Sequence, residues 1–334
     1  MKKLAIYFLI FLISFAIFSE SGLRAAEESP RGIITISGAW ALYPMAIRWK
    51  EEFCKLYPGI KIDIGAGGAG KGMADCLADI VDIGMVSRKI YPAEAHKGAW
   101  WVSVTKDAVL PTTNENNPFL GIIYSRGVNK DILKKIWIAG DIEDWGDILP
   151  EAGAHPMNIY TRSDACGAAE TWAQYFGKNQ EDLLGIGVYG DPGLAEAVKR
   201  DKFGIGFNNL NYIYDMNNKK FMKGIVVLPL DLDGNDRLDP DEDFYATRDD
   251  ITNAISEGRY PSPPARDLFF VCHHKPEKRQ VRLFINWVLT DGQLYVKEAG
   301  YIGLGEEKLK RELNKLEKDP SGKKLDDICQ DIKR

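Results

Sequence analysis

Residues 160–172, Tyr-Thr-Arg-Ser-Asp-Ala-Cys-Gly-Ala-Ala-Glu-Thr-Trp, carry the side-chain types needed to hold an anion. An apolar run at 157–160 leads into Arg162, small residues follow, and the pattern predicts a helix from about Cys166. A strand that stops at a small-residue turn and opens a helix leaves several backbone N–H groups unpaired at the positive end of the helix dipole. Arg162 beside that turn adds a planar, permanently charged donor suited to an oxyanion. As a ligand contact it is expected to be dispensable for the fold. The same residues also fit a plain strand-to-helix corner in which Arg162 and Asp164 pair on the surface.

A second constellation lies at 231–242. Asp231, Asp233, Asn235, Asp239 and Glu242 place oxygen ligands at relative positions 1, 3, 5, 9 and 12, the spacing of an EF-hand calcium loop. Arg237 offers its carbonyl at position 7, and Leu238 occupies the apolar anchor position. Position 6 is Asp236 rather than glycine, which Asp tolerates in the left-handed region at some cost. The apolar segment before Asp231 predicts a strand, so a structural calcium staple is expected rather than a helix–loop–helix sensor. A helix after Glu242 is compatible with the pattern. The competing reading is a solvated acidic loop.

These residues need elements to hold them. Strand Ile33–Ile36, a turn at 37–41, helix 43–56 and strand 60–64 come first. A Gly-rich run at 65–72, helix 73–79 and strand 81–86 follow. Strands alternating with helices predict an α/β fold with parallel pairing, whose ligands sit where strands end and helices begin. A long apolar strand at 100–110 leads to a second α/β set through Trp137, Trp145, the Arg162 turn, 185–189 and 203–207. The segment 225–230 reads as a return crossing, 268–272 as a strand and 284–299 as a helix. The tail from Gly305 is charged and helical at first. Two lobes follow, 27–108 with 226–334, carrying the 231–242 loop as an insertion, and 109–225. Each is expected to be a mixed sheet flanked by helices, with a cleft between them. The small-residue turns near 38, 68 and 166 are all placed to face that cleft, and three inward-pointing N–H arrays are a stronger anion signal than one.

The formal net charge is −5. Met-Lys-Lys, an apolar run at 4–18 and a small, polar exit read as a cleaved export signal over 1–26. That segment carries Lys2, Lys3 and Arg24 against Glu20, so its removal takes the charge to −7. A mildly acidic chain with no basic run is a poor partner for nucleic acid or an anionic membrane surface. No cysteine follows the apolar run, so the usual lipid attachment point is missing. Cysteines at 54, 76, 166, 272 and 329 form no Cys-x-x-Cys pair, which leaves neither a zinc site nor a dithiol motif suggested. Cys54 and Cys76 are candidates to pair, with buried free thiols the alternative.

Six segments together resemble PstS-type phosphate-binding proteins. They are Ser-Gly-Ala-Trp-Ala-Leu-Tyr-Pro (37–44), Gly-Gly-Ala-Gly-Lys-Gly (67–72), Asp-Ile-Gly-Met-Val-Ser-Arg (82–88), Arg-Ser-Asp-Ala-Cys-Gly (162–167), Phe-Gly-Ile-Gly-Phe (203–207) and Ile-Asn-Trp-Val-Leu-Thr-Asp-Gly-Gln (285–293). The segment 298–304 is similar to that family's C-terminal signature. The resemblance implies a type II periplasmic binding-protein fold and a monomeric, periplasmic receptor that closes on phosphate or a related oxyanion. Delivery to the membrane subunits of an ABC transporter is implied as well. The implied ligand contacts lie at Gly38, Ala39, Trp40, Ala41, Leu42, Ala69, Gly70, Lys71, Ser87, Arg88, Arg162, Asp164, Cys166, Gly167 and Ala168.

The chain departs from that pattern where the family places hydroxyls, at Ala39, Trp40, Ala69, Cys166 and Ala168. Ser87 stands about where some members have an aspartate. Each lost charge-assisted hydrogen bond is worth about 1.5–3 kcal/mol. Either Lys71, Arg88 and backbone groups compensate, or the ligand is another anion or a small organic molecule. Trp40 either packs, caps the cleft or stacks on such a ligand. A catalytic reading would use Cys166 at a helix N-terminus. The four histidines (96, 155, 273, 274) form no recognisable base motif with it, so no enzyme is expected. A calcium-stabilised sensory or adhesion module is the third reading.

Overall fold

A computed structural model describes residues 30–317. The export-signal expectation and Cys329 lie outside the described residues.

The strands are β1 (Gly32–Gly38), β2 (Ile60–Ala66), β3 (Ile83–Val86), β4 (Ala99–Asn114), β5 (Asn158–Arg162), β6 (Ile186–Val188), β7 (Gly204–Asn209), β8 (Ile225–Val227) and β9 (Ala265–His273). The helices, in chain order, begin with α1 (Tyr43–Leu56), α2 (Ala69–Leu77), α3 (Pro92–His96), α4 (Leu120–Arg126), α5 (Lys130–Lys134) and α6 (Trp145–Ile148). They continue with α7 (Gly167–Tyr175), α8 (Gly190–Arg200), α9 (Arg248–Ser256), α10 (Arg279–Leu289) and α11 (Glu306–Glu317). The strands run in the order β2-β1-β3-β9-β4-β7-β5-β6, with β8 also paired to β4.

β1 pairs in parallel with β2 and β3, and β5 in parallel with β6 and β7, as the strand–helix alternation requires. Between these two parallel sets runs β4, buried along nearly its whole length because it is central in both lobes. Its first half pairs antiparallel with β9, and its second half with β7 and β8. This one strand therefore links the lobes.

Each lobe has its own core. The first gathers Ile34, Ile36, Trp49, Phe53, Met85, Phe270, Phe284 and Trp287. In α1, Met45, Trp49 and Phe53 recur at four-residue spacing and are wholly buried, while Pro44 starts the helix where no amide partner is needed. The second core is built around Trp137, Trp145, Trp172 and Phe207, with the last two rings stacked at 5.7 Å.

Packing moves two boundaries. The sequence returns the chain to the first lobe at 226, yet Val227, Leu228, Leu230, Phe244, Tyr245, Ile251, Tyr260 and Ala265 all lie in the second core. The crossing back is β9, because β8 pairs with the far half of β4 and cannot leave that lobe. The 231–242 loop therefore belongs to the second lobe. Likewise, the helix expected over 284–299 starts at Arg279 and stops at Leu289. Thr290 leaves helical geometry (φ −118°, ψ −99°), and a 3-10 turn follows at Asp291–Tyr295. Gly292 there packs on Trp287, and its carbonyl accepts the Trp49 Nε1–H at 2.8 Å. Cys54 and Cys76 do not pair; all four described cysteines are free thiols.

Candidate functional site

The corner after β5 is built as its composition dictates. Cys166 caps α7, its sulfur accepting the Ala169 N–H at 3.4 Å. Gln180 braces the turn from outside, accepting from Cys166 N at 3.0 Å and donating to the Asp164 carbonyl at 2.7 Å. The first-turn amides of Gly167 and Ala168 have no carbonyl within the helix to donate to. Gly167 faces Ser87 across the seam between the lobes. A Cβ at 167 would fall under 3.0 Å from both the carbonyl and hydroxyl oxygens of Ser87, so only glycine permits this approach.

Arg162 lies at the base of this corner with no exposed side-chain surface. Its Nε and Nη2 donate to the two oxygens of Asp164 at 2.8 and 2.7 Å, and its Nη1 donates to Asp191. Asp164 also accepts from Gly190 N at 3.1 Å. Next to this triad Arg266 on β9 lies 3.4 Å from Asp107 on β4, and it donates to Asn209 and, at 3.1 Å, to Thr171. Two guanidinium groups thus meet three carboxylates, an excess of one negative charge in a buried cluster. Burial pushes the Asp191 carboxyl up, against the pull of Arg162 and Arg266. Burial likewise carries Asp107 up to about 6, opposed by Arg266. Burial alone would lower Arg162, but Asp191 and Asp164 hold it above its ordinary range. Burial pushes the Cys166 thiol up to about 12, which removes the thiolate that a catalytic role requires.

The first lobe meets this corner with two turns and one strand end. Gly38 begins the first turn; Ala39 N donates to Met85 O at 2.9 Å, and Leu42 N to Ala39 O at 3.1 Å. The Leu42 amide, expected to contact a ligand, is therefore already paired. Tyr301 donates to the Ala41 carbonyl at 2.7 Å. Trp40 packs against Gly190 of α8, and its carbonyl accepts from Tyr212 at 3.2 Å. Its indole N–H is buried with no partner. In the second turn Gly68 adopts φ +92° beside the Asp164 carboxylate, Ala69 is fully buried, and Gly70 N donates to Ala165 O at 3.2 Å. A further bond across the seam joins Tyr91 to Glu170 at 2.5 Å. The lobes are closed on each other.

The structure thus brings Gly38–Leu42, Ala69, Gly70, Ser87, Arg162, Asp164 and Cys166–Ala168 to one seam. It takes Lys71 and Arg88 elsewhere. Lys71 pairs with Asp75 one turn along α2, and Asp75 also accepts from Ser37 at 2.7 Å. Arg88 is held bidentately by Glu94 at 2.7 and 3.0 Å and stacks 4.5 Å from the Tyr91 ring. Both cations expected to replace the missing hydroxyls are neutralised within their own lobe. Asp191 and Tyr212 complete the seam and Gln180 braces it from the second lobe; none of the three was foreseen. Gly190-Asp191-Pro192-Gly193 is a fourth small-residue helix start, the signal that would have found Asp191.

The 231–242 loop closes on itself. Asp231 Oδ1 accepts from Gly234 N at 2.7 Å and Asn235 N at 3.2 Å, and its Oδ2 from Asp236 N at 3.0 Å. Glu242 accepts from the amides of Leu232, Asp233 and Asp239 at 2.7–3.2 Å. Asp236 takes the left-handed conformation, φ 60°. Oxygens of Asp231, Asp233 and Glu242 come within 4.8 Å of one another, close enough to share one cation. Asn235 joins Asp233 and Asp239, and Asp239 also pairs with Arg237. No helix directly follows Glu242; the next, α9, begins at Arg248.

A sequence model described as the PBP superfamily domain matches residues 24–292. Protein SphX of Synechococcus elongatus is 25% identical over 311 residues, covering 88% of this chain and 84% of its own. The phosphate-binding protein PstS of Staphylococcus haemolyticus is 24% identical over 289 residues, 84% of each chain. Among solved structures, a Clostridium perfringens substrate-binding protein with bound phosphate gives a TM-score of 0.66 at 21% identity, over 82% of this chain and all of its own. An ABC-type phosphate transport receptor from Vibrio cholerae gives 0.59 at 17% identity, over 81% of this chain and all of its own. These likenesses establish the two-lobed, type II binding-protein fold.

Proposed function

Since the chain belongs to the PBP superfamily, we propose that it is an exported, monomeric receptor that binds phosphate or a related oxyanion between its lobes and delivers it to the membrane subunits of an ABC importer. The observation that carries this reading is the placement of Arg162 and the first-turn amides of α7 at the seam, opposite Ser87 and the turn at 68–70. A guanidinium and helix-start amides converging between two lobes are the donors an oxyanion needs. The relatives named as phosphate-binding proteins support the same class of ligand. The raised Cys166 thiol supports a binding role rather than catalysis. Among the described residues no helix is long and apolar enough to cross a membrane.

A second reading keeps the receptor but changes the ligand to another anion or a small organic molecule. It is favoured by Ala39, Ala69, Cys166 and Ala168, which supply no hydroxyl, and by the two carboxylates already on Arg162. The 231–242 loop is assigned a structural calcium ion, held by Asp231, Asp233, Asn235, Asp239, Glu242 and the Arg237 carbonyl, as a staple rather than a switch.

Isothermal titration with phosphate, sulfate, molybdate, a phosphonate and a small dicarboxylate tests the reading. Binding of an oxyanion, lost in folded Arg162→Gln, is expected. Refusal of every oxyanion alongside binding of the dicarboxylate would replace the first reading by the second.

A further inference from the structure

Strand β9 starts beside the seam, near Arg266, and stops at His273 at the other end of the first lobe. Successive side chains of a strand point to opposite faces, so an extended chain would carry His274 away from His273. Instead the backbone turns into the left-handed region at His274, φ 62°, and its N–H donates to the Gly98 carbonyl at 2.7 Å. That turn lays the His274 ring on the His273 ring, with centroids 4.3 Å apart and planes at 25°. Gly98 leaves room for both rings: a Cβ there would fall 2.9 Å from His274 Nδ1 and 3.1 Å from His273 Cδ2. A left-handed conformation is costly for histidine, and nothing in the anion seam requires it.

His273 is oriented from outside the strand. Its Nδ1 lies 3.0 Å from Oδ1 of Asp79, which is itself left-handed (φ 54°) just past the end of α2. A carboxylate only accepts, so Nδ1 carries the hydrogen and the lone pair is left on Nε2. This is how a carboxylate fixes the tautomer and ring of a metal-ligating histidine. Both rings border a cavity of about 380 Å³ that Glu277, just before α10, also lines. Among the described residues, no hydrogen bond or ion pair ties the His274 ring or the Glu277 carboxylate, whereas Lys278 is held by Asp82 at 2.6 Å. Counting the imidazoles as uncharged, the carboxylates lining the cavity (Asp79, Asp82, Glu277) exceed its ammonium groups (Lys275, Lys278) by one, which favours a cation.

We propose that His273 Nε2, His274 and Glu277 bind a divalent transition-metal ion of the zinc class, with Asp79 orienting His273. Two imidazoles and a carboxylate suit zinc, nickel or copper(II) rather than calcium, which takes oxygen ligands. Three protein ligands leave the fourth zinc position to water. Among the described residues only Asp231, Asp233 and Glu242 already bring three ligand atoms within 4.8 Å of one another. Closing the histidine set therefore takes a turn of the His274 and Glu277 side chains, both exposed and held by no polar contact. The ion then clips the end of β9 to the start of α10 and adds its binding energy to the stability of the first lobe. This site depends neither on the anion seam nor on the acidic loop of the second lobe.

Zinc chloride titrated into the full chain, free of any histidine tag, tests the site by calorimetry. The variants are His274→Asn, His273→Gln, Asp79→Asn and Asp231→Ala; asparagine is chosen at 274 because it accepts the left-handed conformation. Wild type should bind zinc and melt higher as zinc is added. Both histidine variants should lose that binding, Asp79→Asn should weaken it by about 10–100-fold, and Asp231→Ala should leave it unchanged. Melting of His274→Asn in chelator, expected to match wild type, separates lost ligation from lost folding. Cobalt(II) gives a second readout, a visible spectrum of nitrogen ligation present in wild type and absent from His274→Asn. Zinc binding that survives both histidine substitutions, or is absent from wild type, overturns the proposal. Loss in Asp231→Ala with retention in the histidine variants overturns it too, by placing the ion in the acidic loop. Equal affinity in Asp79→Asn and wild type removes the orienting carboxylate.

Discussion

Replacing Arg162 with alanine should unfold this protein more readily, and the size of the effect follows from what the side chain leaves behind. The guanidinium is wholly buried and is the shared counter-ion of two carboxylates, Asp164 and Asp191, that are themselves less than a tenth exposed. Removing one partner of a buried ion pair costs about 3–5 kcal/mol, because the remaining charge has neither water nor counter-ion. For a domain of this size each kcal/mol lowers the melting temperature by about 2–4 °C, so a drop of at least about 6 °C is expected. The loss should depend on pH with a definite sign. Asp191 is already displaced upward by burial, and without Arg162 it moves further up. A carboxyl whose folded value lies above its unfolded value of about 3.9 contributes stability that is complete below that value and is lost as pH rises through the folded one. The variant should therefore be closest to wild type in mild acid and furthest from it above neutrality. Adding Asp191→Asn to Arg162→Ala should recover part of the loss by removing one stranded charge. Urea unfolding at several pH values, with an unchanged slope, reads all three effects. A loss below about 1 kcal/mol, equal at every pH, would refute the claim that Arg162 is the buried counter-ion of both carboxylates.

Three further outcomes are expected. Gly167→Ala inserts a methyl against Ser87, which forces the seam apart by about 1 Å and costs about 1–3 kcal/mol of closure; anion affinity should fall and solution scattering should expand, and no change in either would mean the lobes do not meet there. Calcium at about 100 times its dissociation constant should add about 2.7 kcal/mol of stability. Asp231→Ala with Glu242→Ala should abolish that increment, and should also lower stability in chelator because several loop amides lose their acceptors; a wild-type melting temperature indifferent to calcium would remove the metal. In the native state a thiol reagent should modify half-buried Cys54 well before Cys76, Cys166 or Cys272, whose thiols burial pushes up; rapid labelling of Cys166 would contradict its place beneath the seam.

What was legible in the sequence was what neighbouring residues decide. The strand–turn–helix units from Gly32 to Val86 were visible because Ile, Gly and Pro recur at spacings that fix strands, turns and helix starts within one window. The same windows located the corner at Arg162 and the loop at 231–242. Boundaries set by distant partners were not legible: β8 is apolar whichever lobe it joins, and only its pairing with residues 112–114 decides. Charge was misjudged for two different reasons. Lys71 and Asp75 stand one helical turn apart, so local spacing alone pairs them and takes Lys71 from the ligand role that the resemblance implies. Arg162–Asp191 are 29 residues apart and meet only because α8 starts beside the end of β5. The residue that governs the site electrically was therefore invisible for the same reason that the lobe boundary was. A helix start reads alike in any chain, whereas the sign of the charge it presents to a cleft depends on which strand end the fold sets beside it.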